Sequence, residues 1–470
     1  MGITKNQTEN GPDPAEATLL PTRSADSRRD FIRGSSLLLA GAIPGGRGGD
    51  AQRPVAYPAG LRIGLLGCGY RGQTAIGQFL RNSNGRVKLV AVADAFPDRL
   101  QQAIRSLRGR FGTSVEVESG CRHLGLTAYQ HLLQSNIDLV VLATPPGFMP
   151  LHFEAAVLAG KHVFMEAPVA TDSAGIQRVV ASGQRASDLG LVVATSWDGS
   201  NDSPLQRALE AARSGQLGQI QFARICSTVD ACPGTEGSNS QKAYAQPRKV
   251  QRREGQSELE YQIRNWRDFL WSGGDNLVHQ QARYLLACND LLEAHPIEAH
   301  RWATAAANAT NIGPPGQVGD AIEGQQVELT YANGVRLICE TRRVGGARRG
   351  IHATLHGSRA WCDLTTGKVF DRENRAIGQP AHANWQPVNP VESQLAQLLE
   401  NGSSPSSGVA SVQRVAEATM TAILGRDAGW AGRSLTYDEC LHSLHRVFDM
   451  DAIMHLSNSP PANSPLPQAI

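Results

Sequence analysis

The sequence predicts an α/β fold organised around a doubly wound parallel sheet. Two observations carry this: apolar runs of strand length alternate with helix-period segments from residue 62 to residue 195, and a glycine-rich turn sits at the first switch from strand to helix. The first strand is 62–66, a short apolar run with Ile63, Leu65 and Leu66. The turn Gly67-Cys68-Gly69-Tyr70-Arg71-Gly72 follows at once, and Thr74, Ala75, Ile76, Phe79 and Leu80 then set a helical pattern. A second strand, 87–93, ends in Asp94. Residues 137–143 form another strand, closed by Thr144-Pro145-Pro146; the next helix carries His152, Ala155, Ala156 and Leu158 and stops at Gly160. Residues 163–165 make a short strand ending in Glu166-Ala167-Pro168, 174–187 is helical and 191–195 is a strand.

The order strand, Gly-x-Gly-x-x-Gly, helix, strand, acid points to a dinucleotide site. Gly67 permits the tight turn, Gly69 lets backbone N–H groups approach a pyrophosphate, and Gly72 lets helix and strand pack closely. Asp94 lies 22 residues after Gly72. There it can accept hydrogen bonds from the adenosine ribose, which favours NAD, with NADP as the alternative; its competing role is a strand-end cap. Ligands of such sheets lie at the carboxyl ends of the strands. Gly67, Gly69, Tyr70, Arg71, Gly72, Asp94, Thr144, Pro145, Pro146, Glu166 and Pro168 are therefore expected to converge on one cofactor crevice.

Composition narrows the function classes. The 470 residues, 41% apolar and 19% charged, suit two or three ordinary soluble domains. A net charge of +2 is too small to suggest a nucleic-acid or membrane-surface partner. No apolar run approaches the roughly 18 residues of a membrane span. The eight cysteines contain no CxxC pair, which argues against a metal site of the zinc type. Ser27-Arg28-Arg29-Asp30-Phe31-Ile32-Arg33 precedes a short apolar run, 37–43. Paired arginines, a following Phe and a weakly hydrophobic stretch predict a twin-arginine export signal, with residues 1–57 as signal and linker; the plain alternative is a solvated basic turn. A periplasmic or other extracytoplasmic protein meets little free nicotinamide cofactor, so the expected NAD is tightly bound and loaded before export.

The stretch Ala143-Thr144-Pro145-Pro146 with His152, Ala159-Gly160-Lys161-His162-Val163, and Glu166-Ala167-Pro168 resembles the Gfo/Idh/MocA family, named for glucose-fructose oxidoreductase, inositol dehydrogenase and a rhizopine-catabolism protein. Three later stretches resemble its secreted branch: Ile263-Arg264-Asn265-Trp266 with Ser272-Gly273-Gly274-Asp275; His356-Gly357-Ser358 with Asp363-Leu364-Thr365-Thr366-Gly367; and Thr421-Ala422-Ile423-Leu424-Gly425-Arg426 with Thr436-Tyr437-Asp438-Glu439. The resemblance covers nearly all of the chain after about Leu61. It implies a Rossmann domain over 58–195 and a C-terminal α/β domain over 196–456. The second domain's large, open, mostly antiparallel sheet would cover the nicotinamide, take a sugar or polyol-like substrate and pair in a homo-oligomer. Local signals agree. Residues 326–331 and 335–341 are strand-like and joined by Ala332-Asn333-Gly334, a hairpin signal. Residues 412–424 are helical, with Gly425 as the stop. Thr436-x-x-Glu439 is a capping box expected to open a helix through Phe448.

The resemblance also implies two proton-handling elements, and both are altered. The lysine of the family's usual Glu-Lys-Pro is here Ala167, whose methyl can neither donate a hydrogen bond nor shuttle a proton. Matching on Gly273-Gly274-Asp275 puts Arg283 at the family's usual His and Leu286 at its usual Asp. Arginine stays protonated and is a poor base. His279, one helical turn before Arg283, is the candidate replacement base, against the alternative of a surface or capped histidine. Asp275 either orients it or caps the helix, and Arg283 either holds an anionic substrate or makes a structural ion pair. Tyr284 and Cys68 read as packing, Trp197 as packing or a border of the sugar site, and His152 as an orienting residue. The expected function is an exported NAD(P)-dependent oxidoreductase with non-standard proton-transfer residues. The alternative is a catalytically inactive NAD-binding protein serving as a binding or partner protein.

Three polar segments remain. Residues 228–260, with Lys242, Arg248, Lys249, Arg252 and Arg253, read as a solvated insertion or a lid. Arg342, Arg343, Arg348 and Arg349 form a second basic spot, and 457–470, with four prolines, is an extended tail.

Overall fold

The computed structural model describes residues 60–83, 85–197, 204–230, 253–305, 324–344, 350–377, 405–443 and 447. The twin-arginine segment, residues 231–252 of the polar insertion, Arg348, Arg349 and the 457–470 tail lie outside them.

Six parallel strands build the first sheet: β1 Leu61–Leu66, β2 Val87–Asp94, β3 Arg122–Leu124, β4 Leu139–Leu142, β5 His162–Met165 and β6 Val193–Thr195. Their order is β3-β2-β1-β4-β5-β6, so the winding reverses beside β1 and opens a crevice at its carboxyl end. The central strands are mostly apolar, β4 wholly so, because helices cover both faces. Ile63, Leu65 and Leu139 pack with Ile76 and Phe79 of α1 (Tyr70–Asn82) and Leu100 and Leu107 of α2 (Pro97–Phe111). Leu66, Val140 and Leu142 pack with Leu132 of α3 (Ala128–Gln134), Phe153 of α4 (Met149–Leu158) and Val179 of α5 (Ser173–Asp188). Helix α6, Pro204–Arg213, follows.

The second sheet has nine strands: β7 Ile220–Asp230, β8 Glu298–Ala305, β9 Gly324–Thr330, β10 Arg336–Val344, β11 Gly350–Gly357, β12 Ala360–Asp363, β13 Val369–Asp371, β14 Ala376–Ile377 and β15 Leu435–Thr436. Their order is β14-β13-β12-β11-β7-β10-β9-β8-β15, antiparallel throughout except for the β7–β10 pair. The Asn333-Gly334 hairpin joins β9 to β10, with Gly334 at φ +82°.

Three sequence expectations change. The segment 228–260 is not all loop: β7 extends to Asp230, and Glu258–Arg264 is helix α7, because Ser257 Oγ accepts the Glu260 N–H at 3.1 Å and two glutamates lie in its first turn. Helix α10 runs Pro405–Ala431, straight through Gly425. A Cβ on Gly425 would sit 3.2 Å from Val327 Cγ2, so this glycine serves close approach to β9, and the helix ends at Gly432, φ +66°. The Thr436–Glu439 capping box forms, but helix α11 is only Tyr437–Leu441 and does not reach Phe448. The Ser443 N–H closes back onto Cys440 O at 3.3 Å, tightening the last turn.

Candidate functional site: a dinucleotide crevice

The three glycines of the turn perform three different steric tasks. Gly67 has φ +94°, and a Cβ there would lie 2.6 Å from Ala143 O at the end of β4. A Cβ on Gly72 would lie 2.2 Å from Gly67 O and 2.9 Å from Leu65 Cδ1, so α1 packs on β1 only without a side chain. A Cβ on Gly69 would meet nothing within 4 Å. Gly69 is also the N-cap of α1, with no side-chain capping bond, so the first amides of α1 and its positive dipole end face open space. That is the geometry a pyrophosphate requires, and Tyr70 and Arg71 are exposed beside it. The residues present fit a dinucleotide.

Asp94 joins the turn directly. Its Oδ2 accepts the Cys68 N–H at 2.7 Å and its Oδ1 the Phe96 N–H at 2.9 Å. The strand-end cap and the ribose acceptor are thus compatible, because each carboxylate oxygen has a second lone pair. Burial raises the pKa of Asp94, and the two backbone N–H bonds oppose that. Cys68 is buried and its thiol pKa is pushed well up by burial, in keeping with a small packing residue. Arg71 reaches across to the turn after β5: its Nε lies 3.0 Å and its Nη2 2.5 Å from Glu166 Oε2. The structure therefore brings Arg71 and Glu166 together as a pair.

Beyond β4, Pro145 and Pro146 lead into a 3-10 turn, Pro146–Phe148, and Thr144 Oγ1 lies 3.0 Å from His152 Nδ1. His152 orients Thr144 from inside the core, between Tyr129 and Phe148. Burial pushes its pKa down to about 3. The unfolded imidazole titrates near 6.5, so the unfolded chain binds a proton first on acidification. This contribution to stability is present above about pH 6.5 and is lost as the pH falls towards 3, by up to about 1.4 kcal/mol per pH unit. His152→Asn is expected to flatten that part of the curve. Urea midpoints of both proteins at pH 7 and pH 4.5 check it: an unchanged difference between the two pH values would contradict a buried neutral His152.

Pro168 is buried and the Glu166-Ala167-Pro168 turn is intact; Ala167 donates its N–H to Ser196 Oγ at 3.2 Å and rests its methyl against the apolar core. At the second altered element, Gly274 (φ +76°) and Asp275 (φ +88°) turn the chain into Leu277–Gln281, a π-wound segment, before α9 (Ala282–Leu292). The relation assumed between His279 and Arg283 was one α-helical turn; the π winding changes that pitch. His279 Nδ1–H donates to the Asp275 carbonyl at 2.8 Å, and the ring meets the Trp266 indole edge-on at 5.9 Å. This bond selects the tautomer with its lone pair on Nε2. The Asp275 carboxylate is fully buried, accepts the Asn276 N–H, and accepts from Gln325 Nε2 at 3.2 Å. Leu286 is core, Arg283 is part-exposed in the first turn of α9, and Tyr284 and Trp197 pack on the main apolar cluster. The basic spot at Arg342 is compensated, since Arg342 and Arg224 both pair with Glu340.

Two residues had no sequence signal as site residues. Arg426 is buried on α10, and Arg267 lies in the 3-10 turn Trp266–Asp268 with its guanidinium over the Trp266 ring. Nothing in their spacing marks them, because the segments they join are far apart in the chain. Among the described residues no group of three or more His, Cys, Asp or Glu could hold a metal ion, and no helix is long and apolar enough to cross a membrane.

Comparison with known proteins agrees with this geometry. Residues 61–194 match the family model described as the oxidoreductase family, NAD-binding Rossmann fold, of GFO_IDH_MocA proteins. The chain is 31% identical over 173 residues to a 1-carboxy-3-chloro-3,4-dihydroxycyclohexa-1,5-diene dehydrogenase of Comamonas testosteroni, covering 36% of this chain and 38% of that protein. It is 28% identical over 173 residues to inositol 2-dehydrogenase of Rhizobium meliloti, covering 37% and 47%. The match thus spans less than half of either relative. Among solved structures, the fold is similar to the WlbA dehydrogenase of Bordetella pertussis in complex with NADH and UDP-GlcNAcA, with TM-score 0.54, 18% identity and 80% and 98% of the two chains covered. It is also similar to myo-inositol 2-dehydrogenase of Lactobacillus plantarum, with TM-score 0.56, 16% identity and 80% and 99% covered. By its glycine turn, its strand-end acid and the family match, the segment 61–194 is an NAD-binding Rossmann domain of the Gfo/Idh/MocA type.

Proposed function

We propose that the protein is an exported NAD-dependent oxidoreductase of a sugar or polyol-like substrate, with rearranged proton-transfer residues. One observation carries the reading: the open, uncapped amides beside Gly69 stand against the Asp94-braced turn in a single crevice. The bound nicotinamide supplies hydride transfer; the chain's residues orient and exclude water. His279 is the candidate base, its tautomer held by the Asp275 carbonyl. Arg283, at the start of α9, is the candidate anchor for an anionic substrate group. Export through the Arg28-Arg29 signal, tight NAD retention, NADP as a second cofactor and homo-oligomerisation through the open sheet belong to the same proposal.

A specific observation favours a second reading, a binding or partner protein that holds NAD without turning it over: Ala167 offers a packed methyl where the family carries its lysine. The test is to purify the protein, release and identify its nucleotide, and follow absorbance at 340 nm with a panel of sugars. Reduction of NAD by any of them supports the enzyme. Ala167→Lys is expected to raise the rate by about 100-fold or more if a missing proton shuttle limits the reaction. Redox activity confined to Ala167→Lys would establish the non-catalytic reading.

A further inference from the structure

Helix α5 begins at a junction. Asp172 is its N-cap, with Oδ1 accepting the Gly175 N–H at 2.7 Å. The residues around this cap bind outward in two directions. Thr171 Oγ1 donates to the Trp271 carbonyl at 3.1 Å, in the single-turn helix α8, Leu270–Gly273. Towards the end of the chain, Asp172 Oδ2 accepts the Val447 N–H at 3.1 Å, Ser173 Oγ donates to the Ser443 carbonyl at 3.3 Å, and Gln177 Nε2 donates to the Leu441 carbonyl at 2.6 Å. Residues 173 and 177 are one helical turn apart and share a face, so Leu441, Ser443 and Val447 are held along the first turns of α5.

Val447 has a second set of contacts. It is buried in a small apolar cluster with Phe96, Phe148, Tyr261, Phe269 and Trp271. Two of those rings belong to turns that form the crevice. The Phe96 N–H is held by Asp94 Oδ1 at 2.9 Å, and Phe148 closes the 3-10 turn that follows Thr144-Pro145. The Phe148 and Trp271 rings meet edge-on at 5.5 Å. One valine near the end of the chain thus wedges the cluster that backs the turns after β2 and β4. The bonds that seat it run from side chains at one helix end, so they open together without breaking either sheet.

We propose that Leu441, Ser443 and Val447 form a releasable clasp on the start of α5, whose docking steadies the Phe96–Phe148–Trp271 cluster and slows exchange of the nucleotide. The proposal rests on the dinucleotide reading of the crevice. It makes Val447 a positioning residue that acts through Phe96 and Phe148.

The test uses the full chain, stripped of nucleotide and reloaded with NADH, with amide hydrogen exchange and NADH release followed by fluorescence. Val447→Ser is expected to raise exchange in peptides covering 261–271 and Phe148 by about tenfold, the worth of one buried valine. It is expected to speed NADH release to a similar degree and to leave the β9–β10 hairpin unchanged. Val447→Ile keeps the apolar wedge and is expected to behave as the unmodified protein. Asp172→Asn keeps the N-cap but offers one oxygen to two N–H donors; it is expected to show the same pattern more weakly, and it carries the test should the serine variant fold poorly. By reciprocity, NADH is expected to slow exchange in the peptide of the unmodified protein that carries Ser443 and Val447. Unchanged exchange over 261–271, exchange raised equally throughout the protein, or raised local exchange with unaltered NADH release would each overturn the proposal. Failure of the unmodified protein to bind NADH would instead defeat the dinucleotide reading, while the exchange measurements would still decide whether Val447 steadies the cluster.

Discussion

Gly72→Ala is expected to abolish NAD(H) binding and to destabilise the first sheet, whereas Gly69→Ala is expected to spare the fold and weaken only the cofactor. The added Cβ at residue 72 would stand 2.2 Å from a backbone carbonyl, that of Gly67, with Leu65 Cδ1 behind it at 2.9 Å. A backbone obstacle cannot rotate away, so α1 must shift off β1. Overpacking of this kind costs about 3 kcal/mol or more, and the shift also displaces the amides that face the pyrophosphate. At residue 69 the backbone is extended, φ −69° and ψ −176°, a conformation alanine adopts without strain, and no protein atom lies within 4 Å of the new methyl. Only the ligand would meet it. Thermal melts and NADH titrations of the two variants separate these effects. Equal melting temperatures with equal loss of NADH would show that both glycines serve the ligand alone.

Arg426→Ala is expected to be the most destabilising single change in the C-terminal part. The side chain is fully buried, donates to Thr171 O at 2.6 Å and to Gly274 O at 3.3 Å, and pairs with Asp427 at 2.7 Å. It also faces the buried Asp275 carboxylate, and the acids around it raise its pKa against the effect of burial. One guanidinium thus ties the turn after β5, the Gly274–Asp275 turn and α10 together. Removing it leaves two carbonyls and two carboxylates short of a partner, a loss of about 3–5 kcal/mol. Arg426→Lys keeps the charge but not the planar fork and is expected to lie between the two. Urea unfolding measures the effect; a loss below about 1 kcal/mol for the alanine variant would mean that water replaces the guanidinium. Because Asp275 also positions His279 through its carbonyl, the lysine variant is expected to alter any His279-dependent pH profile before it alters NADH affinity.

What could be read along the chain was local in origin. Strand–turn–helix–strand from Leu61 to Asp94 is dictated by contiguous residues: an apolar run, three glycines at fixed offsets, a helical period and a terminal acid. The Asn333-Gly334 hairpin and the Thr436–Glu439 capping box are likewise short-range chemistry, settled within a few residues. The open antiparallel sheet, by contrast, came from family resemblance rather than from pattern.

Tertiary contact decided the rest. Gly425 looks like a helix stop in sequence, yet the chain stays helical because packing against Val327 outweighs the entropy of one glycine. Asp275 looks like a cap, yet burial directs its carboxylate to Gln325, 50 residues on in the chain, once β9 folds against the π-wound segment. Arg426 lies in a family-like stretch, yet nothing local to it or to Arg267 shows what either guanidinium will touch. Periodicity reports which side of an element faces the core, but not which distant element completes a charge or crosses a strand end. A guanidinium acquires its role only when folding removes the water that would otherwise solvate it.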